Sequence, residues 1–251
     1  MSNVFYDAGT ARAAKVNVLF ARIARRYDLI NDLQSFGLHR SWKRRVVDLA
    51  ASRPGARALD VCCGTGDIAA ALARRGAATT GLDFSPQMLA VAAERLKKIP
   101  NAEYQSPQFL QGDAQQLPFP DNAFDIVTVG YGLRNLTSWE RGLDEMHRVA
   151  RPGARLIVLD FGKPANALWR AIYFTHLRLS VPLIGLLFCG NASAYAYILE
   201  SLQHYPAQLA VAEKMRALKL NNVRVINLLG GAMAINYGEK PVSEAGWKIK
   251  D

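Results

Sequence analysis

The stretch Leu59-Asp-Val-Cys-Cys-Gly-Thr-Gly-Asp67 carries the clearest chemical signal in the chain. An apolar run with a carboxylate near its end, Ala58 to Val61, reads as a buried strand; it breaks into small residues, and Ile68 to Arg75 then has helical spacing. Strand, tight glycine loop and helix N-terminus make a nucleotide cradle, because backbone N–H groups can approach a ligand and the helix start adds partial positive charge. Gly64 to Ala69 fits the GxGxxA of dinucleotide sites; Asp60-x-Cys62-x-Gly64-x-Gly66 fits the acidic-x-G-x-G-x-G of S-adenosylmethionine (SAM) sites, with Cys62 at the first glycine. The loop alone does not decide between them.

Two further acids follow at strand ends. Ala78 to Asp83 reads as a second strand whose last residue, followed by Phe84, suits ribose hydroxyls in either cofactor class. Gln108 to Asp113 reads as a third, with Asp113 and Ala114 where an adenine amino group would be read. Each acid also has a plain use: Asp60 can cap the loop's N–H groups, and Asp83 and Asp113 can serve turns. Thr65 can cap the helix or touch the ligand. Cys62 and Cys63 read as small buried loop residues, not nucleophiles.

These residues need a scaffold, and the rest of the chain supplies one. Ser85-Pro86 starts a helix reaching about Lys98; Phe124 to Gly130 is a fourth strand, Trp139 to Ala150 a helix, Arg151-Pro-Gly-Ala154 a turn and Arg155 to Asp160 a fifth strand. Strands alternating with helices predict a mostly parallel sheet covered on both faces. An apolar, mainly helical insert spans 165–205, a helix runs from Pro206 to Leu218, and two last strands lie near Val223–Leu228 and Ala232–Tyr237. The expected layout is a helical cover over 1–52, a core over 53–240 and a tail over 241–251. Within the cover, residues 1 to about 13 have no periodicity. One helix then begins at Lys15, a break falls near Ser35 and Gly37, and a second basic helix runs from about Ser41 to Ala51 with Lys43, Arg44 and Arg45.

With 251 residues, half of them hydrophobic, the chain suits one soluble α/β domain with elaborations. The net charge of +10 points to an anionic partner, nucleic acid or acidic lipid, unless it serves solubility alone. Three cysteines make no disulfide framework, so a reducing compartment is expected. No secretory signal or membrane span is read, since the longest apolar run, Leu179 to Cys189, is short and holds Pro182. His147 reads as a surface residue of its helix, and the spacing of His176 and His204 suggests no metal.

The run Gly112-Asp-Ala-Gln-Gln-Leu-Pro-Phe-Pro-Asp-Asn-Ala-Phe-Asp125 resembles class I SAM-dependent methyltransferases. That resemblance implies a Rossmann-like, seven-stranded sheet, mostly parallel with an antiparallel last strand. It favours SAM over a nicotinamide, with Asp60, Cys62, Gly64, Thr65, Gly66, Asp83, Phe84, Asp113 and Ala114 as the cofactor contacts. Three other stretches narrow the resemblance. Phe20-x-x-Ile-Ala-x-x-Tyr27-Asp28-x-x-Asn31-x-x-x-Ser35-x-Gly37 with Trp42-Lys43, Tyr131-Gly-Leu-Arg-Asn135, and Arg151 to Pro164 are together similar to the UbiE/MenG family, C-methyltransferases of menaquinone and ubiquinone biosynthesis. Ala154, Asp160 and Gly162 depart modestly from its pattern, and Gly130 replaces a serine that touches the cofactor in some relatives.

The resemblance implies methyl transfer from a sulfonium to a ring carbon of a prenylated quinol, with no metal. Arg134 is expected to stabilise the developing phenolate, Asn135 to orient the ring oxygen and Tyr27 to relay the proton. The expected partners are a lipophilic quinol, an anionic membrane surface and a second copy of the chain, with no nucleic acid. Leu168 to Phe188 with Tyr195, Tyr197 and Leu199 would wall the prenyl channel, and the basic helices would meet lipid. The expected location is the cytoplasm, at the inner face of the membrane, and a bacterial naphthoquinol is the leading substrate. Three rivals stand beside this: an RNA methyltransferase, lacking here both the Asn/Asp-Pro-Pro-aromatic signature and a cysteine after the fourth strand; another small-molecule methyltransferase; and a SAM-binding scaffold without activity.

Overall fold

In the computed structural model, β1 (Arg57–Val61) lies at the middle of a seven-stranded sheet ordered β3-β2-β1-β4-β5-β7-β6. The structure describes residues 18, 20, 21, 23–97, 105–189, 199–202 and 204–242, without the side chains of 183–185 and 187–189. β2 (Ala78–Asp83), β3 (Gln108–Gln111), β4 (Phe124–Gly130) and β5 (Ala150–Phe161) run parallel to β1. β7 (Met233–Glu239) enters antiparallel between β5 and β6 (Asn221–Leu228).

The inner strands β1, β4, β7 and the second half of β5 are buried on both faces, which is why they read as nearly continuous apolar runs, whereas the edge strands β3 and β6 are half-buried or exposed. Ala58, Ile126, Ile157, Leu159 and Ile235 pack one face against α2 (Leu38–Ala50) and α3 (Asp67–Arg74). Their neighbours Leu59, Val127, Leu156 and Val158 pack the other against α5 (Trp139–Val149) and α7 (Ala207–Ala217). The one-residue alternation fixes the register, since a slip would exchange the two faces. α4 (Pro86–Lys97) follows β2, with Ser85 Oγ accepting from the Met88 N–H as the N-cap expected of a Ser-Pro start.

A third apolar cluster lies off the sheet. It joins Ile23, Ile30 of α1 (Tyr27–Ser35), and Tyr173, Leu177 and Val181 of α6 (Ala167–Cys189), with Phe20, Tyr27 and Phe161 packed against it. The helical cover and the insert after β5 therefore meet each other, although α1 ends at Ser35 and α6 begins only at Ala167.

Several boundaries differ from expectation. Arg151-Pro-Gly-Ala154 does not interrupt the chain before β5; it forms part of that strand, absorbed by a register shift opposite Phe124 and by a left-handed Gly153 (φ 81°). α2 begins at Leu38, not Ser41, because the left-handed pair Phe36 and Gly37 ends α1 abruptly and starts the next helix at once. Lys43 does not face outward with Arg44 and Arg45: it turns inward and binds Asp67. Of the expected channel wall, Trp169, Ile172, Tyr173 and Leu177 line a cavity, whereas Leu168, Leu179 and Leu186 are exposed and line neither cavity described below. The unperiodic segment 1–13, Tyr195, Tyr197 and most of the 241–251 tail lie outside the described residues. Among those described, no helix is long and apolar enough to cross a membrane.

Candidate active site

The strand order reverses between β1 and β4, and in open α/β sheets ligands sit outside the carboxyl ends of the strands at that switch point. Here those ends carry Asp60, Cys62, Gly64, Asp83, Asp113, Gly130 and Tyr131. The loop after β1 needs its glycines for conformation and approach. Gly64 and Gly66 are left-handed (φ 55° and 82°), and a Cβ at Gly66 would come within 2.8 Å of Phe109 Cζ. Cys62 takes the same left-handed region (φ 53°) as a non-glycine residue.

A groove runs along these strand ends, lined by Cys62, Gly64, Asp83, Phe84, Asp113 and Ala114, and on its far side by Tyr131 and Asn135. A small polar pocket adjoins it, where Asp60, Thr65 and Lys43 meet Cys62 and Gly64. The structure thus brings eight of the nine sequence-read cofactor residues to one groove and its annex; the ninth, Gly66, lines neither and serves the loop's left-handed turn.

The acids are already engaged with backbone. Asp83 accepts from the Gly64 N–H (2.8 Å) and the Ser85 N–H (2.9 Å), tying the loop to the β2 end; burial raises its carboxyl pKa in spite of them. Asp60 accepts from the Ala69 N–H (3.1 Å) and the Thr128 hydroxyl (2.7 Å), and burial pushes its carboxyl up to about 7. Asp113 accepts from the Gln115 N–H (2.8 Å). Each plain turn or cap role is therefore realised, and each carboxylate keeps further lone pairs for a ligand. Burial likewise raises the Cys62 and Cys63 thiols well above their usual range, which leaves them unreactive.

Thr65 does not cap α3. Gly66 occupies the N-cap without a side-chain bond, and the Thr65 hydroxyl donates instead to Asp28 of the cover (3.0 Å). Arg95 of α4 binds Asp28 Oδ2 and Asp67 Oδ1, both at 2.7 Å, and Lys43 binds Asp67 Oδ2 at 2.7 Å. Burial alone would raise Asp67, but Lys43 and Arg95 outweigh it and hold its carboxyl below the usual value. This network clamps α1 and α2 onto the glycine loop. No role for Asp28, Asp67 or Arg95 was read from the sequence; the only signal was that Asp28, Lys43 and Asp67 stand inside the quoted motifs.

On the other side of Tyr27 and Tyr131 lies an apolar chamber of about 440 Å³. α1, α2, the first half of α6, the β5 end and the turn Leu229–Gly231 enclose it, with Phe20, Trp42, Phe161, Trp169, Tyr173 and Leu177 among its walls. Tyr27 and Tyr131 line both groove and chamber and so stand at their junction. Arg134, only 5 % exposed, faces the chamber. Its position is fixed on several sides: Nε lies 3.3 Å from Asp160 Oδ1, its backbone N–H donates to Asp160 Oδ2, Nη1 donates to Asn135 Oδ1 (2.6 Å), and its guanidinium stacks 4.8 Å over Phe161. Asn135 in turn donates to the Tyr131 carbonyl (3.2 Å), so in this state it holds Arg134 in place. His147 is half-buried on α5 and lines neither cavity; His176 reaches the chamber rim. No cluster of three or more metal-binding side chains occurs among the described residues.

This strand order, the glycine loop at the switch point and three acids at successive strand ends define a class I SAM-dependent methyltransferase. A SAM-dependent methyltransferase from Thermotoga maritima shares the fold, with a TM-score of 0.59 at 19% identity over 88% of this chain and 98% of that one. The chain belongs to the ubiE/COQ5 methyltransferase family, whose model matches residues 8–240. It is 41% identical over 238 residues to a demethylmenaquinone methyltransferase of Desulfitobacterium hafniense, covering 93% of each chain. It is also 41% identical to a ubiquinone/menaquinone biosynthesis C-methyltransferase, UbiE, of Ectopseudomonas mendocina, covering 92% of this chain and 90% of that one.

Proposed function

We propose that this protein methylates a ring carbon of a prenylated 1,4-quinol, with demethylmenaquinol as the leading substrate and a benzoquinol of the ubiquinone type as the alternative. The observation that carries this reading is the apolar chamber, which meets the cofactor groove at Tyr27 and Tyr131 and has a buried cation, Arg134, on its wall. A flat aromatic ring with a hydrocarbon tail suits its Phe, Trp and Leu walls, and the names of the relatives point to the same substrate class.

The groove's residues fit SAM. Asp60, in the polar annex, suits an ammonium; Asp83 suits ribose hydroxyls and Asp113 an adenine amine, and the left-handed glycines let the loop backbone pass close to the ligand. Bound there, SAM supplies a methyl group made electrophilic by the sulfonium. Attack needs an electron-rich ring carbon, which a quinol offers beside a hydroxyl as that hydroxyl loses its proton. Arg134 stabilises the developing phenolate from a water-poor wall, where its charge acts strongly. Asp160 and Asn135 keep the guanidinium from reorganising during the reaction. Tyr27, at the junction, relays the proton away, and Phe20 packing edge-on at 5.9 Å fixes its ring.

The chamber mouth carries exposed Phe36, Leu38, Ile172 and Leu229, with Arg40 and Arg44 exposed on α2. Apolar side chains beside cations suit peripheral contact with anionic lipid, where a prenylated substrate resides. Binding to anionic vesicles is expected to weaken as salt rises.

The test is methyl transfer from labelled SAM by the purified protein to a panel of chemically reduced, demethylated naphthoquinols and benzoquinols, with bulk RNA in parallel. Label in a quinol and none in RNA supports the reading. Label in RNA alone, or SAM binding with no transfer to any quinol, overturns it.

A further inference from the structure

Hydrogen-bonding atoms left without partners are concentrated in one place. Asn31 Nδ2, Gln34 Nε2 and the Tyr131 hydroxyl are buried and make no hydrogen bond among the described residues, and all three residues line the chamber. Such groups each cost on the order of 1–3 kcal/mol when left unpaired, so a folded protein keeps them where a ligand completes them. Tyr131 belongs to the cofactor end. Asn31 and Gln34 lie farther along the same face of α1, Asn31 one turn beyond Tyr27, a step of roughly 5.4 Å. That step is comparable with the span between para oxygens across a six-membered ring.

His39 completes this far end with the opposite hydrogen-bonding character. It is 3 % exposed and lines the chamber but not the cofactor groove. Its tautomer follows from Ser35. The single Ser35 hydroxyl proton goes to the Asn31 carbonyl (2.6 Å), so Ser35 Oγ can only accept from His39 Nδ1 at 2.9 Å, as it also does from the His39 backbone N–H. Nδ1 therefore carries the ring proton, with Asp32 Oδ1 3.7 Å away on the same side. Burial and the nearby Lys43 lower the imidazole pKa, against the pull of Asp32 and Asp67, and keep the ring neutral. Nε2 is then a lone-pair acceptor, and it makes no hydrogen bond among the described residues.

We infer that Asn31, Gln34 and His39 form a second polar clamp that holds the substrate's other ring hydroxyl, the one remote from the methylated carbon. The match is one of hydrogen-bonding kind: with the two buried amides turned toward the chamber, a hydroxyl accepts from their N–H groups and donates its own proton to His39 Nε2. A quinone carbonyl has no proton to donate and sets its lone pairs against that of Nε2, so the clamp selects the reduced ring. It also fixes which edge of the ring meets the sulfonium, because the first oxygen is committed to the Arg134 end. No proton is transferred at the clamp; its part is recognition and orientation. This inference rests on the quinol reading proposed above.

The experiment compares two substrates in each protein: a short-tailed demethylated naphthoquinol kept reduced, and its analogue in which the remote hydroxyl is replaced by hydrogen. The unsubstituted protein is expected to prefer the quinol by about tenfold or more in kcat/KM, since a site built around a hydroxyl leaves its own polar groups unpaired when that hydroxyl is missing. His39→Asn keeps a donor for Ser35 but removes the distal acceptor, so the preference should shrink toward one. His39→Gln, whose amide oxygen reaches where Nε2 stood, should restore part of it. Should the His39 variants fail to fold, Gln34→Met reads out the same preference ratio from a half-buried position. A purely structural role would slow both substrates alike and leave the ratio intact, and that result refutes the clamp alone. No transfer to the quinol by the unsubstituted protein refutes the quinol reading and the clamp with it.

Discussion

The cofactor groove and the chamber lie either side of two tyrosines and are built on opposite plans. In the groove the polar groups are paired within the protein: Asp60, Asp83 and Asp113 each accept backbone N–H groups that shape the very loops they terminate. In the chamber, polar atoms at Asn31 and Gln34, and the Tyr131 hydroxyl at the junction, have no partner among the described residues. The groove is a finished cradle whose acids already serve the fold and, on the proposed reading, also the ligand. The chamber is apolar surface with a few unanswered polar groups, which the proposed substrate would complete. Damage to the groove should therefore appear in both stability and SAM affinity, whereas damage to the chamber should appear in turnover and substrate preference.

The largest effect is expected at Arg134, where the contrast is least clean because its guanidinium also pairs with buried Asp160. Arg134→Ala should lower kcat roughly 100-fold or more, as removal of a transition-state donor does. Leaving Asp160 unpaired should cost about 3 kcal/mol in thermal or denaturant unfolding. SAM affinity of the folded protein should hardly change; an equal fall in SAM affinity and turnover would remove Arg134 from the chemistry.

Acidity comes next. With its carboxyl raised to about 7, Asp60 is protonated below neutrality and offers no charge to an ammonium. SAM affinity measured by calorimetry should therefore rise with pH through 6 to 8, and by up to about tenfold per unit on the acid side. The stability of the free protein should move the other way, because burial disfavours the carboxylate: it falls as pH rises between the unfolded pKa and about 7. Asp60→Asn should flatten both profiles, and an affinity profile unchanged in that variant would leave Asp60 as a loop cap only.

Asp28→Ala tests the clamp between cover and loop, since it removes the partner of both Thr65 and Arg95. An approximately tenfold loss of SAM affinity is expected, with faster proteolysis of the chain before β1; loss of charge-assisted bonds of this kind has that order of effect. The smallest change is Tyr131→Phe. Deleting a buried hydroxyl without a partner should raise stability by about 1 kcal/mol while lowering turnover. Lower stability in that variant would mean the hydroxyl is satisfied in the free protein, and the contrast drawn here would weaken.

The same difference explains what could be read in the sequence. Groove residues sit at the ends of strands whose apolar runs are local and periodic, so Asp60, Asp83 and Asp113 could be found from their neighbours. The seven-strand count and the late antiparallel strand followed from the resemblance, not from periodicity, and the strand order came only with the structure. The chamber was legible only as a greasy insert, because its walls come from α1, α2, α6 and the Leu229–Gly231 turn, segments that meet only in the fold. His39 gave no signal: it sits between the quoted Gly37 and Trp42, and its acceptor nitrogen emerges only once Ser35 spends its proton on Asn31. Arg151-Pro-Gly-Ala154 misled in the other direction, since a Pro-Gly pair reads as a turn even where a strand absorbs it through a bulge.

The most direct test follows a 13C-methyl label from SAM into a reduced, short-tailed demethylmenaquinol and locates it by NMR. The expected result is a new methyl on the free ring carbon that lies between a hydroxyl-bearing carbon and the prenyl-bearing carbon, formed catalytically and lost in Arg134→Ala. A label on oxygen, on the tail, or nowhere in the quinol while SAM still binds would contradict it.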